Sequence, residues 1–122
     1  MPLRYVLDEN LRGRLWGALQ HHNAAGIDPV DVTRVGDPPD LPLGTADPDL
    51  LLWSEREGRV LVTLDEQTIP GHLAAHLQQG HHSPGVFLLK NRYTLAQLVF
   101  ELVLAAYVYD PADVADQVRY VP

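Results

Sequence analysis

Cysteine is absent from this chain. Disulfide staples, thiolate zinc sites and cysteine nucleophiles are excluded, and a cytoplasmic protein is expected. No apolar run approaches the roughly 20 residues of a membrane-spanning helix, so no membrane association is expected. The opening Met1-Pro2-Leu3-Arg4 lacks the charged-then-apolar pattern of a secretory signal. Neither standard glycine-rich phosphate loop occurs, nor a Gly-x-Ser-x-Gly turn, which argues against nucleotide-driven and serine-hydrolase chemistry. Positive charge is scarce as well. Nine Lys and Arg face 16 Asp and Glu, for a net charge of −7. A surface this negative repels phosphate backbones unless something cationic intervenes.

What is present is the material for a core. The 122 residues are 46% apolar and predict a single domain over 1–122, with no repeat, low-complexity tract or linker. Short apolar runs alternate with helical patterns, which predicts an α/β layered fold with parallel strands. Strands are expected at Leu3–Leu7, within Asp28–Val35, at Val60–Leu64, at Gly85–Leu89 and at Gln117–Val121. Helices are expected from Leu11 to near Gly26, from Asp47 to Gly58, from about Ile69 to Gln79, and from Thr94 to Tyr107. Asp47 reads as an N-cap with Pro48 at the first helical position. The Pro38-Pro39 pair makes the segment from Gly36 to Ala46 an irregular loop.

Two strands run directly into acids, Leu7 into Asp8-Glu9 and Leu64 into Asp65-Glu66. Functional groups of open α/β sheets gather at the carboxyl ends of the strands. If these strands are neighbours, Asp8 and Asp65 face one crevice, and the first turn of the helix at Asp47 brings Asp49 to the same edge. Clustered carboxylates repel, by about 1–4 kcal/mol for a pair about 4 Å apart. Two readings stay open on spacing alone. The acids cap helices and make turns, or they share a hard divalent cation such as Mg²⁺ or Mn²⁺, which activates water for phosphodiester hydrolysis.

The segments "RYVLDENL", "GTADPDLLLWSEREGRVLVTLD" and "SPGVFLL", in that order, resemble a short branch of the PIN-like domain family over nearly the whole chain. The resemblance implies a three-layer α/β/α fold with a mostly parallel sheet and a Mg²⁺- or Mn²⁺-dependent ribonuclease. It further implies a toxin-type protein paired with an antitoxin. It assigns Asp8, Asp49 and Asp65 to catalysis and metal binding, with Glu9, Asn10, Asp47, Thr63, Glu66 and Gln67 as auxiliary groups. One departure matters: Gln67 and Thr68 stand where relatives often carry a further Asp and an aromatic. A site of three carboxylates with reduced metal affinity is therefore expected. The alternative is a catalytically weakened protein-interaction module.

Other features are ambiguous in the sequence. Arg12 and Arg14 follow Asp8 by about one turn, and either hold substrate phosphates of RNA or are solvated charges on a helix. Lys90 and Arg92 form another basic pair. His72 and His76 are spaced to share a metal but lack the flanking Glu of a metalloprotease helix, so exposed polar histidines are expected there. His21-His22 and His81-His82 are read as helix-terminal residues. The helix from Thr94 is apolar nearly all round. One face is expected to be buried, and the other, with an exposed Trp53 beside it, to meet a second copy or an antitoxin-like partner.

Overall fold

Strands form at all five expected places in a computed structural model, which describes residues 2–122. They are β1 (Tyr5–Leu7), β2 (Val32–Arg34), β3 (Val60–Thr63), β4 (Val86–Leu88) and β5 (Val118–Tyr120). All pair in parallel, in the order β2-β1-β3-β4-β5. Between them lie α1 (Arg14–Ala24), α2 (Asp47–Glu57), α3 (Ile69–Gln78), α4 (Leu95–Val108) and the short α5 (Pro111–Val114). The result is a three-layer α/β/α fold on an all-parallel sheet. No helix among the described residues is long and apolar enough to cross a membrane.

Period-two alternation divides the core. Tyr5, Leu7, Val60, Val62 and Phe87 face one layer, where α1 and α4 pack with Leu15, Leu19, Leu98 and Leu102. Val6, Leu61 and Val86 face the other, where α2 and α3 contribute Leu50, Leu51, Ile69 and Leu73. Because both faces of the central strands are covered, Val60 to Val62 carry no polar residue and are fully buried. The Tyr5 hydroxyl, deep in the first layer, donates to the Leu102 carbonyl at 2.6 Å, and burial raises its pKa.

The connections carry one departure from the usual rule. β1 to β2 and β4 to β5 run in opposite directions across the sheet, yet α1 and α4 cover the same face. The two crossovers therefore have opposite hands. The β1-to-β2, β2-to-β3 and β3-to-β4 crossovers share one hand, so the last connection is the exception to the near-universal right-handed crossover. It is also the longest connection. It descends along α4, whose N-terminus is fixed by a capping box between Thr94 and Gln97, and turns through α5. Gly85 admits this turn: its φ is +121°, and a Cβ there would stand 2.6 Å from the Val114 carbonyl oxygen.

Four local expectations are corrected. The N-cap of α2 is Ala46, with extended dihedrals, and its carbonyl accepts the first helical bond from Leu50 at 2.9 Å. Asp47 thus opens the helix and Pro48 follows it. Trp53 is buried, with its indole N–H donating to Asp40 at 3.0 Å. His76 is buried rather than exposed. His81 and His82 lie beyond the end of α3, in the approach to β4.

Candidate functional site

The strand order reverses between β1 and β3, since the chain leaves β1 toward one edge and returns through β3 toward the other. Crevices for ligands open at the carboxyl ends of strands at such a point. Leu7 pairs with Val62, and the Asp8 N–H extends the ladder to the Val62 carbonyl at 2.9 Å. Asp8 therefore stands opposite Thr63. By alternation, Asp8 shares the side of Val6 and Thr63 that of Leu61, so both aim at the α2/α3 layer.

The contacts follow from that placement. The buried Thr63 hydroxyl donates to Asp8 Oδ2 at 2.7 Å and accepts the Asp65 N–H at 3.1 Å. One hydroxyl thus links the two acid-bearing strand ends. Asp8 Oδ1 also accepts the Glu9 N–H at 2.7 Å, capping the 3₁₀ turn Glu9–Leu11. Asp65 Oδ1 accepts the N–H groups of Gln67 and Thr68, at 3.1 and 3.0 Å, and Oδ2 accepts the Thr68 hydroxyl. These donors, the Thr68 hydroxyl first, hold the Asp65 carboxyl below the usual carboxylate range.

The helix acid that joins this pair is Asp47. Its carboxylate lies 3.5 Å from the Thr68 hydroxyl and 3.7 Å from His72 Nε2. Its side chain is 28% exposed. Burial, then the neighbouring charges of Asp8 and Asp65, raise its pKa, and His72 and Thr68 oppose the rise. Asp49 is exposed, and none of the hydrogen bonds of Asp8, Asp47 or Asp65 among the described residues reaches it. Two positions along an α-helix differ by about 200°, so the two acids cannot share a face. Asp8, Asp47 and Asp65 with two threonine hydroxyls form the cluster.

The auxiliary residues divide. Glu9 reaches away and accepts the Gly44 N–H at 2.7 Å, fastening the irregular loop. Asn10 and Gln67 are exposed. Glu66 accepts the Tyr120 hydroxyl at 3.0 Å, which raises the Tyr120 pKa and ties β5 to the crevice rim. Arg12 is engaged by the loop after β2, donating to the Val35 carbonyl at 3.0 Å and pairing with Asp37. Arg14 is exposed at the start of α1.

Sequence reasoning treated Thr68 only as a departure from the family pattern and set His72 aside as an exposed polar histidine; the structure places both beside Asp47. Sequence reasoning also left unplaced a cleft of about 260 Å³ lined by Leu64, Glu66, Leu89, Lys90, Asn91 and Arg92. There Lys90 rests over the Tyr120 ring at 4.7 Å and Arg92 over Tyr93 at 5.2 Å. The cleft continues the crevice along the carboxyl edge of β3 and β4. A signal was present, since both cations follow a strand as Asp8 and Asp65 do.

A larger apolar groove of about 900 Å³ lies between α1 and α4, lined in part by Ala18, Val99, Phe100, Leu104 and Tyr107. Phe100 is 63% exposed. No protein-family model matches this chain, nor does any curated protein or solved structure.

Proposed function

We propose that the chain is a PIN-like, Mg²⁺- or Mn²⁺-dependent ribonuclease whose cation sits among Asp8, Asp47 and Asp65. The observation that carries this reading is the pair of threonine hydroxyls at the reversal point of the sheet: Thr63 links Asp8 to the Asp65 backbone, and Thr68 lies between the Asp65 and Asp47 carboxylates. Such a cluster is repulsive by itself and is relieved by a hard cation with oxygen ligands. Asp8 and Asp65 each arrive with their orientation fixed by hydrogen bonds, as preorganised ligands should.

The donor set has the chemistry for such an ion, carboxylate oxygens held by the Thr63 and Thr68 hydroxyls. The three acids would draw together to share it, since among the described residues only Glu55, His76 and His81 offer ligand atoms all within 4.8 Å of one another. A bound divalent cation supplies a water of lowered pKa and neutralises the leaving oxygen. The chain's own groups do the rest. Thr63 and Thr68 hold the acids apart and aimed. His72 lies 3.7 Å from the Asp47 carboxylate and steadies it. Lys90 and Arg92 flank the crevice and attract a phosphate backbone, the role first considered for Arg12 and Arg14. The chain is read as the toxin-like member of a pair with an antitoxin protein.

The test is Mn²⁺-dependent cleavage of single-stranded RNA, with Asp8→Asn, Asp47→Asn and Asp65→Asn beside the wild type. Loss of at least about 100-fold in each variant is expected. An unmodified protein inert with both metals across varied RNAs refutes catalysis. A second reading, a non-catalytic interaction module, is favoured by the apolar α1/α4 groove with Phe100, Leu104 and Val108 exposed. For that reading a second copy or an antitoxin helix is the occupant. Self-association measured by sedimentation, abolished by Phe100→Asp, separates it from the enzyme.

A further inference from the structure

A second cluster lies at the opposite end of the sheet. α2 and α3 both begin at the crevice and run toward the amino ends of the strands, so Glu55 lies about 12 Å along α2 from Asp47. There Glu55 Oε1 meets His76 Nε2 at 3.4 Å and His81 Nδ1 at 3.1 Å. The three donor atoms all lie within 4.8 Å of one another. They come from three segments: α2, the last turn of α3, and the approach to β4. The imidazoles stack, with centroids 4.8 Å apart and planes inclined by 20°.

We propose that Glu55, His76 and His81 form a binding site for a transition-metal dication of the zinc class, separate from the acidic crevice. Two nitrogens and one oxygen suit zinc, whose bonds of about 2.0–2.1 Å make tetrahedral ligand separations of roughly 3.3 Å. The observed separations of 3.1 and 3.4 Å from the shared oxygen fall on either side of that length. To close on an ion, the stacked imidazoles must turn so that both nitrogens point at it, and His76 must leave the His82 carbonyl.

The groups behind the three ligands are also in place. The second carboxylate oxygen of Glu55 accepts the His82 N–H at 2.9 Å. Asp116 holds the same loop, accepting the Ser83 N–H at 2.7 Å and contacting His82 Nδ1 at 3.0 Å. Such supports fix ligand geometry. The His82 N–H foremost, then the two imidazoles, lower the Glu55 pKa, so the carboxylate is ionised. His76 Nε2 donates to the His82 carbonyl at 2.8 Å. A cation bound at Nε2 would displace that hydrogen bond, with His76 turning from the His82 carbonyl and its one ring proton passing through solvent to Nδ1.

With three protein ligands and His81 at the surface, the fourth position faces water. The ion would clamp the C-terminal turns of α2 and α3 to the approach of β4. Its action would be on stability rather than on the crevice chemistry.

The experiment is a Zn²⁺ titration of tag-free, chelator-treated protein by calorimetry, with Co²⁺ absorption as a spectroscopic reporter of tetrahedral geometry. The wild type, His81→Ala, Glu55→Gln and Asp8→Asn are compared. One Zn²⁺ bound with micromolar or tighter affinity is expected. That affinity should weaken by at least about 10-fold in His81→Ala and in Glu55→Gln and be unchanged in Asp8→Asn. Zn²⁺ should raise Tm by several degrees in the wild type and not in His81→Ala. His81 is half-exposed, so its variant folds; far-UV circular dichroism checks this. Absence of saturable binding overturns the proposal. So does binding indifferent to His81→Ala and Glu55→Gln, or lost instead in Asp8→Asn.

Discussion

Replacing Asp47 by Asn should stabilise the protein while removing a ligand of the proposed cation site. Asp47 and Asp65 both reach the Thr68 hydroxyl, so their carboxylates lie within roughly 6 Å of each other. Two unit charges at that distance repel by about 0.7 kcal/mol in water and about 2.8 kcal/mol at an effective dielectric of 20. Physiological salt removes roughly half of either figure. Asp8 adds to the repulsion. Against this, Asp47→Asn loses only a long contact to Thr68 and a half-exposed one to His72, worth little.

A gain of about 1 kcal/mol is expected at neutral pH, or about 3–5 °C in Tm for a chain of this size. Asp65→Asn should do the opposite, since it takes a charged acceptor from three donors, and should cost about 1–2 kcal/mol. The pH dependence follows with opposite signs. The folded Asp47 pKa is raised, so its penalty is complete only above the raised value. That penalty is relieved as pH falls through the raised value. The folded Asp65 pKa is lowered, so its stabilisation holds above the ordinary value and is lost as pH falls through the lowered one. The advantage of Asp47→Asn should therefore shrink as pH falls through the raised Asp47 pKa and be gone below the ordinary Asp value. The assay is thermal melting in chelator and then in millimolar Mn²⁺, which should raise Tm of the wild type and leave Asp47→Asn unmoved. An Asp47→Asn protein that melts at or below the wild type in chelator at neutral pH refutes the repulsive cluster.

Three further outcomes are expected. Thr63→Val keeps the shape but leaves the Asp65 N–H and Asp8 Oδ2 without their common partner; urea unfolding should show a loss of about 2 kcal/mol. Gly85→Ala forces a side chain against the Val114 carbonyl at positive φ, costing at least about 2 kcal/mol in the same assay, and α5 should loosen first in hydrogen exchange. Phe100→Ser removes the most exposed aromatic of α4, 63% accessible; it should leave Tm within about 2 °C and raise solubility.

The elements were legible in the sequence because each is announced by a local pattern. Val60-Leu61-Val62-Thr63 is apolar and β-branched without alternation, and the structure buries it on both faces. Thr94 with Gln97 three residues on is a capping box in the sequence and in the fold. α5 was legible in the same way, through Asp110, Pro111 and Asp113, but was overlooked because only four residues follow the cap. The third crevice acid was harder. The choice between Asp47 and Asp49 depends on whether Asp47 caps α2 or opens it, a shift of one residue. Ala46 has no capping side chain to reveal that it fills the cap. His76 was misjudged for a different reason: its burial depends on the His82 carbonyl, which only the turn after α3 brings near.

What no local pattern contains is the strand order, and the candidate chemistry depends on it. Had β1 and β3 not been neighbours, Asp8 and Asp65 would each be an ordinary turn residue with its own donors. Pairing Leu7 with Val62 places Thr63 between them, and parity then turns both toward α2 rather than α1. From that point the charges explain themselves in pairs. Asp65 is surrounded by donors that lower its pKa, whereas Asp47 has only a distant hydroxyl and a histidine, and its pKa is raised. The dipole of α2 favours an acid in its first turn, where Asp47 and Asp49 both stand behind an Ala46 cap with no capping side chain. On the proposed function, burial and the neighbouring charges that raise the Asp47 pKa are what a cation would relieve. Part of the net charge of −7 is concentrated where an ion would reverse it, beside Lys90 and Arg92. The protein's two clustered donor sets then sort by hardness: oxygens alone at the carboxyl edge, where Mg²⁺ or Mn²⁺ would meet phosphate, and imidazoles with one carboxylate at the amino edge, where a softer ion would bind.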